Sequence, residues 1–202
     1  MHDNKHEVQV RISNYGIAET IRNVFTVLRN KVEFPGARLI RYPVIVRGKK
    51  YIDFGKKLTI GYNCRIEVNG KHNNKVLSFG ENVNIGDNVN IRCANGISIG
   101  NNVLIGSRVL IIDNSHGKYS GDNQDSPEIP PNQRKLYTAP IVIEDNVWIG
   151  EGTVIQAGVK ISTGSIVAAN SVVTKDVKAG EIVGGLPAKV IKRWNQEKQV
   201  WL

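Results

Sequence analysis

The chain is short of the residues that mark several protein classes. It holds two cysteines and four histidines in 202 residues. Neither Cys64 nor Cys93 belongs to a CxxC pair, so no zinc ribbon or thiol-redox motif is present. Both read as reduced thiols in or near a core, which suits the cytoplasm. No apolar run approaches the ~20 residues of a membrane-spanning helix. The first residues, MHDNKHEVQVRI, lack an apolar h-region, so no signal peptide is expected. His2 and His6 sit four apart, but with no carboxylate or thiol beside them they make no metal site. Aromatic residues are scarce, at 6% of a chain that is 41% hydrophobic; Val and Ile dominate the apolar set, as repeated short strands require. Acidic residues are outnumbered, 18 against 27 Lys and Arg, which leaves +9. That balance favours anionic partners such as a phosphorylated ligand, an anionic membrane surface or nucleic acid. For nucleic acid the support ends at charge, because no interleaving of basic and aromatic residues accompanies it.

What the chain has in abundance is a period. Residues 141–178 read IVIEDN-VWIGEG-TVIQAG-VKISTG-SIVAAN-SVVTKD-VK. An aliphatic side chain returns at every sixth position: Ile143, Ile149, Ile155, Ile161, Val167 and Val173. Two residues before each stands a small or β-branched one: Ile141, Val147, Thr153, Val159, Ser165 and Ser171. Helical apolar faces recur at three and four, so this is no helix, and a free-standing hairpin would need stronger turn signals. Six is the period of a hexapeptide β-helix. Each hexad supplies a short strand and a corner, about three hexads close one triangular coil, and the aliphatic side chain points into the prism. Gly and Asn at the corners supply the positive φ of a sharp bend. The fold class is therefore all-β, a parallel β-helix.

Three regions follow. Residues 1–57 form an N-terminal segment. Its first 13 residues are expected to be weakly ordered. Ile17, Ile21, Val24, Phe25, Leu28 and Val32 then recur at helical spacing, which predicts a helix over 17–32, stopped by Pro35 and Gly36. The opposite face carries Arg22, Arg29 and Lys31. The helix is expected to cap the open end of the β-helix; the alternative is a helix lying on a membrane surface. Residues 38–57 read as two lead-in strands around Arg47 and Gly48. Residues 58–178 form the coil, with a polar loop at 69–75 that holds His72, a slip at 94–96, and an inserted loop at 113–140 that contains four of the seven prolines. Loops this long are usually functional. Residues 179–202 form a tail, read as a Gly-Gly-Leu-Pro turn, a strand and a short C-terminal helix.

His116 stands at the base of the inserted loop. A free imidazole titrates near neutrality and suits general-base work; the residue could equally be a surface histidine. The motifs WIGEGTVIQAGVKI, SVVTKDV and GGLPAKVIK add context. Over residues 58–195 the chain resembles the hexapeptide-repeat acetyltransferases, and more narrowly the galactoside and maltose O-acetyltransferases and the acetyltransferases of capsular and colanic-acid polysaccharide synthesis. The resemblance implies left-handed coils, a homotrimer with sites between subunits, and transfer of an acetyl group from acetyl-CoA to a hydroxyl without a metal. It assigns His116 as general base and places Asn88 near the reacting groups. Asp113 is a candidate to orient the imidazole or bind the acceptor. On the CoA side it matches Trp148, Ala169, Thr174, Lys175, Lys189 and Lys192. The two last lysines stand where arginines are usual, so charge is kept without a bidentate grip, and Arg193 is a candidate to restore it. Glu151 stands where a small polar residue is usual.

Other readings remain beside a sugar or polysaccharide-precursor acceptor. An antibiotic acceptor would use the same loop and histidine. A non-enzymatic solenoid binding module would need neither. A γ-type carbonic anhydrase would need three zinc histidines, whereas only His72 and His116 lie in or beside the coil.

Overall fold

A computed structural model describes residues 16–202. His2, His6 and the stretch expected to be weakly ordered lie outside the described residues. The chain opens with helix α1 (Ile17–Glu33) and then winds into a three-sided prism. Its turns are β1–β3 (Leu39–Ile40, Val44–Arg47, Ile52–Asp53), β4–β6 (Thr59–Ile60, Cys64–Val68, Leu77–Phe79) and β7–β9 (Asn84–Ile85, Asn90–Cys93, Ile97–Ile99). The fourth turn, β10 (Leu104–Ile105) and β11 (Leu110–Ile112), is interrupted by an arm that contains β12 (Asn114–His116) and β13 (Leu136–Thr138), and it closes with β14 (Ile141–Ile143). Then come β15–β17 (Trp148–Ile149, Val154–Ile155, Lys160–Ile161), β18 and β19 (Ile166–Val167, Val172–Val173), and β20–β22 (Glu181–Gly185, Ala188–Asn195, Val200–Trp201).

Each face is a parallel ladder in which a strand pairs with the strand one turn away. The second face runs β2-β5-β8-β11-β16-β19, so six turns are stacked. Register puts like on like: Ile60, Ile85, Ile105, Ile149 and Val167 form one column, and Ile66, Ile91, Ile111, Ile155 and Val173 another. All of these are buried. Removing one such Ile side chain would cost about 2–5 kcal/mol, because the rigid column above and below cannot collapse into the gap. Asn63, Asn82, Asn88, Asn102, Asn146 and Asn170 turn corners at positive φ, a conformation Asn tolerates better than most residues. Gly150 is needed for a different reason: a Cβ there would lie 2.5 Å from the backbone nitrogen of Ala169 in the next turn.

Cys64 and Cys93 are free and buried. Burial, and after it the charge of Asp113, pushes the Cys93 thiol up to about 12, so it stays neutral and is a poor nucleophile. His72 packs edge-on against Tyr51, with ring centroids 5.2 Å apart, and its Nε2 lies 2.8 Å from the Asn69 carbonyl oxygen.

Four expectations need correction. The residues expected to lead into the coil are its first turn: β1 pairs with β4, β2 with β5 and β3 with β6, all parallel. The six-residue step was present there too, at Ile40, Val46 and Ile52. The tail ends in no helix. β21 turns back antiparallel on β20 and β22 pairs with β21, Trp194 against Trp201. An open sheet edge at the end of the prism favours an extended partner over a helix, and the two indole rings close the hairpin at 5.4 Å. The inserted segment is not an unstructured loop, since β12 and β13 pair antiparallel and a 3-10 turn spans Pro131–Gln133. Finally, α1 does pack on the first turn, but with its polar side. Thr26 and Asn30 are its buried residues, and Asn30 Nδ2 donates to the Ile40 carbonyl at 3.1 Å.

Candidate active site

The site begins where the repeat breaks. Asp113, directly after β11, is wholly buried. Its carboxylate accepts the backbone N–H groups of Ala94, Asn95 and Gly96, each at 2.8 Å, and Asn114 Nδ2 at 2.9 Å. The slip at 94–96 thus leaves backbone donors with no ladder partner, and a carboxylate from the next turn takes them. Such charge-assisted bonds are strong and fix the root of the arm. Asp113 therefore faces backbone and neither orients the imidazole nor reaches an acceptor; it positions the strand that carries His116.

His116 ends β12, opposite Leu136, and is exposed. Its backbone is held from several sides. The Tyr119 hydroxyl donates to the His116 carbonyl oxygen. Arg134 donates from Nη1 to the Tyr119 oxygen at 2.7 Å and from Nε to the Ile129 carbonyl at 2.8 Å. Gly117 follows at φ +115, and a Cβ there would meet the Tyr119 oxygen at 2.8 Å. A substitution at Gly117 would thus strain the backbone and break this packing. Tyr119 and Arg134 were missed by sequence reasoning, because the arm has no periodicity to place them. A cleft of about 340 Å³ on the arm is lined by Lys118, Asp125, Lys135 and Tyr137 among others.

The remaining candidates fall into three places. Thr174 and Lys175 follow β19 at the edge between the second and third faces. The arm leaves that same edge two turns earlier. Trp148 and Lys192 lie on the first face, along one line through Ile166 and Ile182. Three strand spacings separate them, about 14 Å. Lys189 is on the same strand as Lys192. Ala169 and Asn88 sit at the edge between the first and second faces, where Asn88 turns its corner at φ +59. Asn88 and His116 thus occupy different edges of one prism. Two charged residues are already engaged: Arg193 Nε pairs with the buried Glu181 at 3.0 Å, and Glu151 pairs with Arg108 at 2.6 Å. Lys175, Lys189 and Lys192 stay exposed. Among the described residues no group of three or more His, Cys, Asp or Glu could hold a metal ion.

A triangular parallel coil built in six-residue steps is the fold of the hexapeptide-repeat transferases. The family described as "Bacterial transferase hexapeptide (six repeats)" matches residues 140–175. The "Putative lipopolysaccharide biosynthesis O-acetyl transferase WbbJ" of Escherichia coli K12 is 37% identical over 188 residues, 93% of this chain and 94% of that protein. A 2,3,4,5-tetrahydropyridine-2,6-dicarboxylate N-acetyltransferase of Staphylococcus aureus is 54% identical, but over 27% of this chain and 23% of its own length. Among solved structures, the hexapeptide-repeat acetyltransferase VCA0836 of Vibrio cholerae, complexed with acetyl-CoA, shares 31% identity at a TM-score of 0.52 and covers 91% of this chain and 81% of its own. AntD, an N-acyltransferase of Bacillus cereus complexed with dTDP and 3-hydroxybutyryl-CoA, reaches a TM-score of 0.67 at 21% identity over 84% of this chain and 90% of its own, a likeness of fold alone. The chain belongs to the bacterial hexapeptide-repeat transferase family.

Asp113→Ala is expected to lower stability by about 3 kcal/mol, because it leaves a set of backbone donors without their ionised acceptor. The urea midpoint measures this. A stable variant with a raised acceptor KM would return Asp113 to the acceptor side.

Proposed function

We propose that this chain, wound left-handed like its family, transfers an acetyl group from acetyl-CoA to a hydroxyl of a sugar or polysaccharide precursor. The near full-length likeness to WbbJ carries the reading, and the braced placement of His116 supports it. His116 acts as general base. It takes the proton of the acceptor hydroxyl as that oxygen attacks the thioester carbonyl; the C–S bond then breaks and the CoA thiolate leaves with a proton. No acyl-enzyme is needed, consistent with two buried thiols. The cleft on the arm, with an aromatic ring and charges of both signs, suits a polyhydroxyl acceptor. Exposed Lys175, Lys189 and Lys192 suit the CoA phosphates, and half-exposed Trp148 suits an apolar portion of the cofactor. The buried free cysteines agree with a cytoplasmic location.

The same reading requires a second subunit. One chain presents its candidates on two edges and a face, so the His116 edge of one protomer must meet the neighbour's face or edge to complete a site. A homotrimer with parallel coils does this three times. Light scattering at micromolar concentration is expected to give three times the 22.3 kDa chain mass; a monomer mass would remove this part of the reading.

The chemical test is acetyl transfer from acetyl-CoA screened over sugars, nucleotide sugars and antibiotics. His116→Ala is expected to lower turnover of the best acceptor by about 10²–10⁴-fold with acetyl-CoA affinity unchanged. More than about a tenth of wild-type turnover in that variant would rule out the base assignment.

Charge reversal of the cofactor side, Lys175→Glu with Lys192→Glu, is expected to weaken acetyl-CoA binding at least about tenfold, more at low salt than at high. Calorimetry reads it, and an unchanged affinity would place the cofactor elsewhere.

A further inference from the structure

Helix α1 is amphipathic in the opposite sense to a helix that buries its apolar side. Among the described residues, the side-chain bonds that hold it are polar. Besides Asn30 on Ile40, Glu33 accepts the Tyr42 hydroxyl, and Arg29 donates to Glu33 at 2.7 Å while stacking over the Tyr42 ring at 3.9 Å. Arg22 donates to the Tyr62 hydroxyl at 2.9 Å. These contacts raise Tyr42 to about 12, by burial first and then by the bond to Glu33, and hold Glu33 below the usual carboxylate range, through Tyr42 first and then Arg29. The clamp therefore keeps one ionic form at neutral pH.

The other side of α1 is an apolar stripe that is largely exposed. Ile17 is 83% exposed, Phe25 68%, Leu28 55% and Val32 85%, with Ile21 and Val24 between them. At 1.5 Å per residue the stripe runs about 25 Å, the length of the helix. A stripe of this kind on a protein surface marks an interaction site. Charge selects the occupant. Residues 16–57 hold ten Lys and Arg against three Asp and Glu, so this segment carries +7 of the chain's +9. Lys31 borders the stripe in the last turn, and Lys49 reaches over Phe34 to the Glu33 carbonyl oxygen at the end of the helix. Two copies joined through α1 would bring two +7 segments together, whereas an anionic surface would be attracted to one. Among the described residues no helix is long and apolar enough to cross a membrane, so the stripe would lie in a surface and not span it.

We propose that α1 seats this protein on an anionic lipid surface, with its apolar stripe in the lipid interface and the basic first turn of the coil against the lipid phosphates. The inference is independent of acyl transfer. The test is co-sedimentation of the full chain with large unilamellar vesicles of phosphatidylglycerol and phosphatidylcholine, or of phosphatidylcholine alone. The wild type is expected to pellet with the anionic vesicles, less at high salt, and to stay in solution with the neutral ones. Phe25→Ser with Leu28→Ser is expected to weaken pelleting at least about tenfold. The thermal midpoint should not change, since both side chains face outward. Lys49→Glu with Lys50→Glu is expected to weaken it as well. Three results would overturn the proposal: a wild type that does not pellet with anionic vesicles, a Phe25→Ser/Leu28→Ser variant that pellets as well as wild type, or a change of solution mass in that variant, which would make the stripe a contact between subunits.

Discussion

The structure depends on the ladder that stacks one turn of the coil on the next. Each short strand has its backbone groups met by the turns on either side, and each buried aliphatic side chain lies on its counterpart one turn away. Where the six-residue repeat is unbroken, a ladder of this kind is satisfied everywhere except at its two ends, where strand edges present unpaired backbone groups. The chain treats the ends differently. At the C-terminal end β21 adds an antiparallel strand to β20. At the N-terminal end a helix lies across the first turn, and because that edge is polar, the helix gives it Asn30 and the Arg and Glu side chains. Its apolar side is turned outward as a consequence of what the edge requires.

The same accounting explains the arm. A slip of the repeat at 94–96 leaves backbone N–H groups that no strand can take. Asp113 takes them, and in doing so roots the segment that ends in His116. A buried carboxylate beside a candidate general base suggests a catalytic partner, but here the geometry makes it a structural fastening. The arm then braces itself through Tyr119 and Arg134, and His116 is left with a fixed backbone and an open ring.

The distribution of candidate residues follows from the prism. Residues in successive turns stay on one face or one edge, so a set drawn from different corners cannot converge within a single chain. His116, Thr174 and Lys175 share an edge; Trp148, Lys189 and Lys192 share a face; Asn88 and Ala169 share another edge.

The core was legible in the amino-acid order because it is a one-dimensional property. A β-helix repeats its environment every six residues, so Ile143, Ile149 and Ile155 declare their burial by spacing alone. The step Ile40, Val46, Ile52 carried the same message for the first turn, with Gly and Asn corners too sparse there to draw attention to it. Family likeness singled out His116 and the basic residues of the tail. Other features depend on neighbours distant in the chain: that Asp113 meets the backbone at 94–96, that Arg193 is taken by Glu181, that the tail is extended because an open strand edge awaits it, and that α1 turns its apolar stripe outward. Helical periodicity says that one side of α1 is apolar, but which side faces the protein is decided by the surface it meets, and that surface exists only once the first turn has closed.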